Sequence, residues 1–172
     1  MTKTVQHDHY SYQNQMVDFP IFIVLDQLRT PENVGMCLRL AEAFGAEGVA
    51  LWSDGPQLDQ RSLKKTARSV EKNLRLIYYN DLISLIENKR QENYQILSLE
   101  LTNKSQSLST YQFQKEQKIC LIVGAERQGI RPEVLEKSDA CIQIDLFGQN
   151  SSINVANSLG IALYEITKQQ KA

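Results

Sequence analysis

The sequence predicts an α/β fold, a single parallel-sheet domain with helices on both faces. Short continuous apolar runs such as Ile21-Phe-Ile-Val-Leu25 and Ile119-Cys-Leu-Ile-Val123 suit strands covered on both faces, not strands with one wet side. Helical patterns alternate with these runs along the chain, giving about six strands. Two of the later strands also end in turns rich in Gly, Ser and Asn, and ligands bind at the carboxyl edge of an open parallel sheet.

Composition narrows the class. At 172 residues, 42% hydrophobic and 23% charged, the chain suits one domain able to bury a core without disulfides or metal. Cys37, Cys120 and Cys141 lie inside apolar patterns with no C-x-x-C spacing, so they read as core residues in a reducing compartment. Residues 1–18 are polar, hold no signal-like apolar run, and read as a flexible tail before a domain over 19–172. His7-x-His9 in that tail is too little to suggest a metal site, and no metal is expected. No apolar run approaches a membrane span, so a soluble cytoplasmic protein is expected. A net charge of -1 excludes coating nucleic acid by bulk electrostatics; RNA or DNA binding needs a local patch.

Taken in order, 21–25 is the first strand. Thr30-Pro31-Glu32 then offers an N-cap hydroxyl, a proline at the first helical position and an early acid, so a helix begins there. Val34, Cys37, Leu38, Ala41 and Phe44 form its apolar stripe and Gly45 closes it. Arg39 lies off that stripe, about 140° from Val34 on a helical wheel, where an arginine is ordinarily a solvated side chain. Gly48-Val-Ala-Leu-Trp52 reads as the second strand, with a turn after it.

Residues 57–75 read as a helix with Leu63, Ala67, Val70 and Leu74 on one face and Arg61, Lys64, Lys65, Arg68, Lys72 and Arg75 on the other. Between Arg61 and Arg75 six basic residues stand against Glu71 alone, a local charge of +5. Such a face suits a phosphate backbone, and equally plain solvent. Strands follow at 76–79 and 94–99 with a helix at 81–90 between them. A polar loop over 100–107 could form one of the ligand-facing loops. The strand at 119–123 leads into Gly124-x-Glu126-x-x-Gly129, whose glycines let backbone approach a ligand with a carboxylate between them. A short helix near Pro132, a strand at 141–144 and a helix over 153–167 complete the chain. Ser151 and Ser152 stand where a hydroxyl can hold the start of that last helix while free amides face outward.

Three stretches carry more than their local chemistry: Asn33-Val-Gly35-Met-Cys-Leu-Arg39, Gly124-Ala-Glu126-Arg-Gln-Gly129 and Ser152-Ile-Asn154-Val155. In order and spacing they resemble the N-x-G-x-x-x-R, G-x-E-x-x-G and S-[LI]-N-V motifs of the SpoU, or TrmH-type, branch of the SPOUT RNA methyltransferases. These enzymes move a methyl group from S-adenosylmethionine to a ribose 2'-hydroxyl. The resemblance implies a C-terminal trefoil (α/β) knot, which composition would not suggest, and a homodimer in which the first and last helices complete each site. It also implies S-adenosylmethionine as cofactor and RNA, either tRNA or rRNA, as partner.

By position, the resemblance makes Arg39 the catalytic arginine, with Asn33, Glu126, Ser152 and Asn154 around the reaction centre. Glu126 would hold Asn33 or Arg39 in place. Leu99, Glu100, Gly124, Ile144, Ser152 and Ile153 would hold the methyl donor, largely through backbone groups. Arginine is a poor general base, so a role on the target phosphate or the developing alkoxide suits Arg39 better than proton transfer. The chain departs from the family pattern with Asp145 where proline is common and with Ala125, Arg127 and Ala156 at other motif positions. It shows no separate RNA-binding domain, leaving recognition to the knot domain and its 61–75 face. That compact build suits a tRNA substrate better than an rRNA one. The alternative is an RNA-binding protein of the same fold without activity, against which Arg39, Glu126 and Asn154 speak. A nucleotide-binding α/β enzyme would carry G-x-G-x-x-G or G-x-x-x-x-G-K-[ST], and neither occurs.

Overall fold

Phe19–Leu25 forms β1, and its side chains explain the architecture. In the computed structural model, which describes residues 16–58 and 74–172, Ile21, Ile23 and Leu25 pack into one apolar cluster and Phe22 and Val24 into another. Successive strand side chains point to opposite faces, so a run apolar at every position must be covered twice. Strand β6, Ile119–Val123, repeats the pattern, with Ile119, Leu121 and Val123 on one face and Cys120 and Ile122 on the other. Each such fully buried side chain contributes about 1.5–3 kcal/mol of transfer free energy, opposed by the entropy of ordering it.

The remaining strands are β2, Ala46–Trp52, β3, Arg75–Tyr79, β4, Gln95–Leu99, β5, Gln106–Ser107, and β7, Ala140–Gln143. Among the described residues they form one seven-stranded sheet in the order β3-β2-β1-β6-β4-β7-β5. Every pairing is parallel. Helices α1, Pro31–Ala43, and α4, Val155–Lys171, cover the face of the first cluster. Helices α2, Leu82–Gln91, and α3, Pro132–Lys137, cover the other. The all-parallel α/β class stands as expected. Cys37 and Cys120 are buried and Cys141 half-buried, all as free thiols. Burial first, and then the charge of Glu126, push the Cys37 thiol up to about 12, the behaviour of a core residue and not of a nucleophile.

Several expectations are corrected. The 100–107 segment is not all loop: Gln106 and Ser107 form β5, hydrogen-bonded along β7, a polar pair whose strand state is set by its neighbour. Of the helix expected over 57–75, Arg75 instead opens β3, and residues 59–73 lie outside those described. The 141–144 strand ends at Gln143, leaving Ile144 in the following loop. The last helix starts at Val155, with Asn154 as its N-cap in place of Ser151 or Ser152, and runs to Lys171. Thr30 does precede α1, but its side chain makes no capping bond. Of the tail over 1–18, residues 1–15 lie outside the described residues. No helix among the described residues is long and apolar enough to cross a membrane.

Candidate active site

Strands β6, β4 and β7 lie side by side, and the loops at their carboxyl ends enclose a cleft of about 1030 Å³. Its walls are residues 99–102 after β4, 123–130 after β6, and 143–155 between β7 and α4. Leu99, Glu100, Gly124, Ile144, Ser152 and Ile153, six positions expected around a methyl donor, all line it, as do Glu126 and Asn154.

The turn after β6 is tight because its glycines permit it. Ala125 and Gly129 exchange both backbone hydrogen bonds, at 3.2 and 2.9 Å, and Gly129 has φ +66, a conformation that favours glycine. A Cβ on Gly124 would stand 2.2 Å from the Gly129 carbonyl carbon, and one on Gly129 would stand 2.5 Å from Glu100 Oε2. Glu100 latches the turn: the Ile130 N–H donates to its Oε2 at 3.1 Å and the Leu101 N–H to its Oε1 at 2.9 Å. Its carboxylate is therefore engaged by the protein itself, and its part in the cleft is to hold two walls together.

Glu126 starts a hydrogen-bonded chain across three elements. Asn33 Nδ2, on α1, donates to Glu126 Oε1 at 2.8 Å, and Asn154 Nδ2 donates to Asn33 Oδ1 at 3.0 Å. Asn154 Oδ1 then accepts from the Ala156 N–H at 2.9 Å and the Asn157 N–H at 3.4 Å, capping α4. A carboxylate only accepts, so Asn33 must turn its amide nitrogen to Glu126 and its oxygen to Asn154. Asn154 must in turn give its nitrogen to Asn33 and keep its oxygen for the helix. Charge at Glu126 thus orients both amides. Burial works to raise the Glu126 pKa, but hydrogen bonds from Thr30 and Asn33 outweigh it and hold the carboxyl below its ordinary value. Thr30, expected to cap α1, makes no capping bond and instead stands near enough to Glu126 to lower its pKa. Of the two partners expected for Glu126, the described structure pairs it with Asn33.

The other site candidates divide. Ser152 and Ile153 stand exposed on the cleft loop. Arg39 is exposed on α1 and does not line the cleft of its own chain. Arg61, Lys64, Lys65, Arg68 and Lys72 lie outside the described residues. Arg75 does not join a cleft-facing basic surface: it sits at the amino end of its parallel strand, the edge away from the cleft, and pairs with Glu47 at 3.4 Å.

Two features escaped sequence reasoning. Asp145, the departure from the family's proline, accepts hydrogen bonds from Ser107 and from Ser109, the latter at 3.3 Å. The Ser107 bond lowers its pKa first, so it adds a fixed negative charge to the cleft. Asp26, at the end of β1, is 1% exposed and ion-paired to Arg131 at 3.0 Å, just beyond the turn. A buried carboxylate demands a cation, but nothing in the sequence near Asp26 points to Arg131.

The lining suits a cationic, partly apolar ligand with a heterocyclic base. Glu100, Glu126 and Asp145 outnumber Arg127, and Leu99, Val123, Ile130 and Ile144 supply apolar wall. The two glycines let the turn close on itself and on Glu100, where a side chain would collide with the protein's own atoms. S-Adenosylmethionine, with its sulfonium and ammonium charges, fits that donor set.

Comparison with known proteins agrees with this geometry. The sequence model of the SpoU rRNA Methylase family matches residues 20–164. The 23S rRNA (guanosine-2'-O-)-methyltransferase RlmB of Escherichia coli (strain K12) is 30% identical over 154 residues, covering 90% of this chain and 62% of that protein. The chain therefore spans less than two thirds of that relative. The AdoMet-bound rRNA methyltransferase from Sinorhizobium meliloti superposes with a TM-score of 0.79 at 23% identity, over 91% of this chain and 57% of that one. A structure concerned with 2-OH methylation of C/U34 on tRNA superposes with a TM-score of 0.77 at 25% identity, over 88% of this chain and 96% of that one.

Proposed function

The chain belongs to the SpoU rRNA Methylase family, and from that premise we propose that it methylates a ribose 2'-hydroxyl of RNA with S-adenosylmethionine as donor. The domain over 19–172 would do this as a cytoplasmic homodimer. The observation that carries the reading is the Glu126–Asn33–Asn154 chain on the wall of the cleft.

When bound, S-adenosylmethionine supplies a methyl carbon made electrophilic by the sulfonium. Backbone groups at Leu99, Gly124, Ile144 and Ile153 hold the donor in the cleft, and Glu100 keeps the 99–102 and 124–130 walls in register. Glu126 fixes Asn33 and Asn154, so their amides meet the target ribose without reorganising. Ser152, beside them, contacts the ribose from the loop. Fixing donor and hydroxyl in line lowers the barrier by proximity. Arg39 binds the target phosphate or the developing alkoxide, where a fixed positive charge is worth most. Its exposure on α1, away from its own cleft, supports a dimer in which one protomer's Arg39 completes its partner's site. The expected knot rests on the family resemblance, and the position of β7 between β4 and β5 is compatible with it.

Of the two RNA classes we favour tRNA. The structure concerned with C/U34 on tRNA is matched over 96% of its length, whereas RlmB is matched over 62%. The test is tritium transfer from labelled S-adenosylmethionine to total tRNA and to rRNA, with wild type and Arg39→Ala side by side. Label recovered as a 2'-O-methylnucleoside from tRNA, and lost in the variant, is the expected outcome. Label in rRNA alone would reverse the substrate class, and donor binding without label in any pool would sink the transfer reading.

A further inference from the structure

Trp52 is the sole tryptophan of the chain, and it stands at the end of β2, half-buried. The guanidinium of Arg29, itself exposed, lies 5.1 Å from the centroid of the indole. Together with Pro31, Asp54, Gly55 and Pro56 they line a hollow of about 340 Å³, apart from the methyl-transfer cleft. We propose that this hollow binds an unpaired base of the RNA substrate, stacked on Trp52 and steadied by Arg29.

The backbone that carries the ring is fixed before any ligand arrives. Trp52 is in register with Tyr79 of β3, and both the N–H and the hydroxyl of Ser53 donate to the Tyr79 carbonyl at 2.9 Å. The Gly55 N–H returns to the Trp52 carbonyl at 3.0 Å, and the Gln57 amide ties down the Ser53 and Gly55 carbonyls, each at 2.9 Å. An aromatic ring on a fixed turn, with a planar cation over it, is the pairing that binds single-stranded bases regardless of sequence. Asp54 adds an acceptor for a base amino group.

Placement favours RNA over a free small molecule. The hollow sits at the carboxyl ends of β1 and β2, the same sheet edge as the cleft. Its residues Arg29 and Pro31 flank Thr30, one of the groups that lower the Glu126 pKa on the cleft wall. A strand whose ribose occupies the cleft thus finds a stacking site one residue along the chain from the catalytic network. The ligand class rests on the RNA methyltransferase reading above, while the site rests on its own geometry.

Because Trp52 is the only tryptophan, its fluorescence reports the site directly. The full chain is titrated with unfractionated tRNA and with short single-stranded RNA, following Trp52 emission and, in parallel, the anisotropy of labelled RNA. Emission is expected to quench in step with binding. Arg29→Ala and Trp52→Leu should weaken RNA binding by up to about 5- to 150-fold, the range of one base–aromatic stack. The change should appear in KM for RNA and not in kcat, with calorimetric affinity for S-adenosylmethionine unchanged. Arg29→Ala removes an exposed side chain and keeps the reporter, so it serves if Trp52→Leu folds poorly. RNA binding with unaltered emission, full affinity in Arg29→Ala, or no RNA binding at all overturns the proposal. Methyl transfer without a Trp52 response overturns this site alone. A Trp52 response without methyl transfer overturns the transferase reading alone.

Discussion

The carboxyl edge of the sheet carries two polar links that differ in one respect, access to water. Asp26–Arg131 joins the end of β1 to the start of α3 with a carboxylate 1% exposed. Glu126–Asn33–Asn154 joins the turn after β6 to α1 and α4, with Glu126 and Asn154 exposed and Asn33 half-buried. The first cannot touch a ligand, so its worth is structural. The second is worth little to stability, because exposed hydrogen bonds compete with water, and its groups remain available to a substrate. The same chemistry thus serves the fold or the site according to depth.

Ranked by effect on stability, that contrast can be broken in four places. Asp26→Ala should cost roughly 2–3 kcal/mol, below the ~3–5 kcal/mol of a fully buried pair, because the Arg131 side chain keeps 30% exposure; urea denaturation reads this. Gly129→Ala should cost about 1–2 kcal/mol for a strained backbone and displace the Glu100 latch. Its loss of S-adenosylmethionine affinity, followed by calorimetry, should exceed its loss of stability. Asn154→Ala should cost about 1 kcal/mol as a lost N-cap and slow methyl transfer, since Asn33 loses its second partner. Glu126→Gln keeps an acceptor for Asn33, so stability should stay within ~0.5 kcal/mol. Removing the charge that orients the amides should still slow transfer by about tenfold, and an unchanged kcat would show that the charge is idle.

The two links should also titrate in opposite senses, a smaller effect that sharpens the comparison. Burial, against the pull of Arg131, raises the Asp26 pKa. The folded state therefore holds this proton more tightly, and the contribution present below the ordinary carboxyl pKa is lost as pH rises through the raised one. Glu126 is depressed, so its contribution is present above the ordinary value and lost as pH falls through the lowered one. Denaturation across the acid range, repeated with Asp26→Asn and Glu126→Gln, should flatten opposite limbs of the stability curve.

Much of this was legible in the sequence. The runs at 21–25 and 119–123 could only be strands covered twice, and Pro31 and Gly45 bracketed α1. Turn chemistry at Gly124, Gly129, Ser151 and Ser152 located the cleft, because such residues are needed where loops must approach a ligand, while Asn154 came only with the family resemblance. What escaped had non-local causes. Gln106 and Ser107 have no strand pattern of their own and are ordered by β7. Thr30 reads as a cap, yet its side chain makes no capping bond and lies by Glu126, remote in sequence. Asn154 and Ser152 are both good caps, and only the bond to Asn33 decides between them. Asp26 and Arg131 gave no local sign of each other.

The sheet order also dictates when the protein can begin to exist. The central strand β6 pairs on one side with β1, Ile21 facing Ile119, and on the other with β4. During synthesis the ribosome delivers β1, β2, β3 and β4 well before β6, so β1 leaves the exit tunnel with an apolar edge whose partner has not been made. Distant pairings of this kind are slow to close, and a nascent chain waiting for Val123 is the form of this protein most exposed to aggregation and most in need of a chaperone.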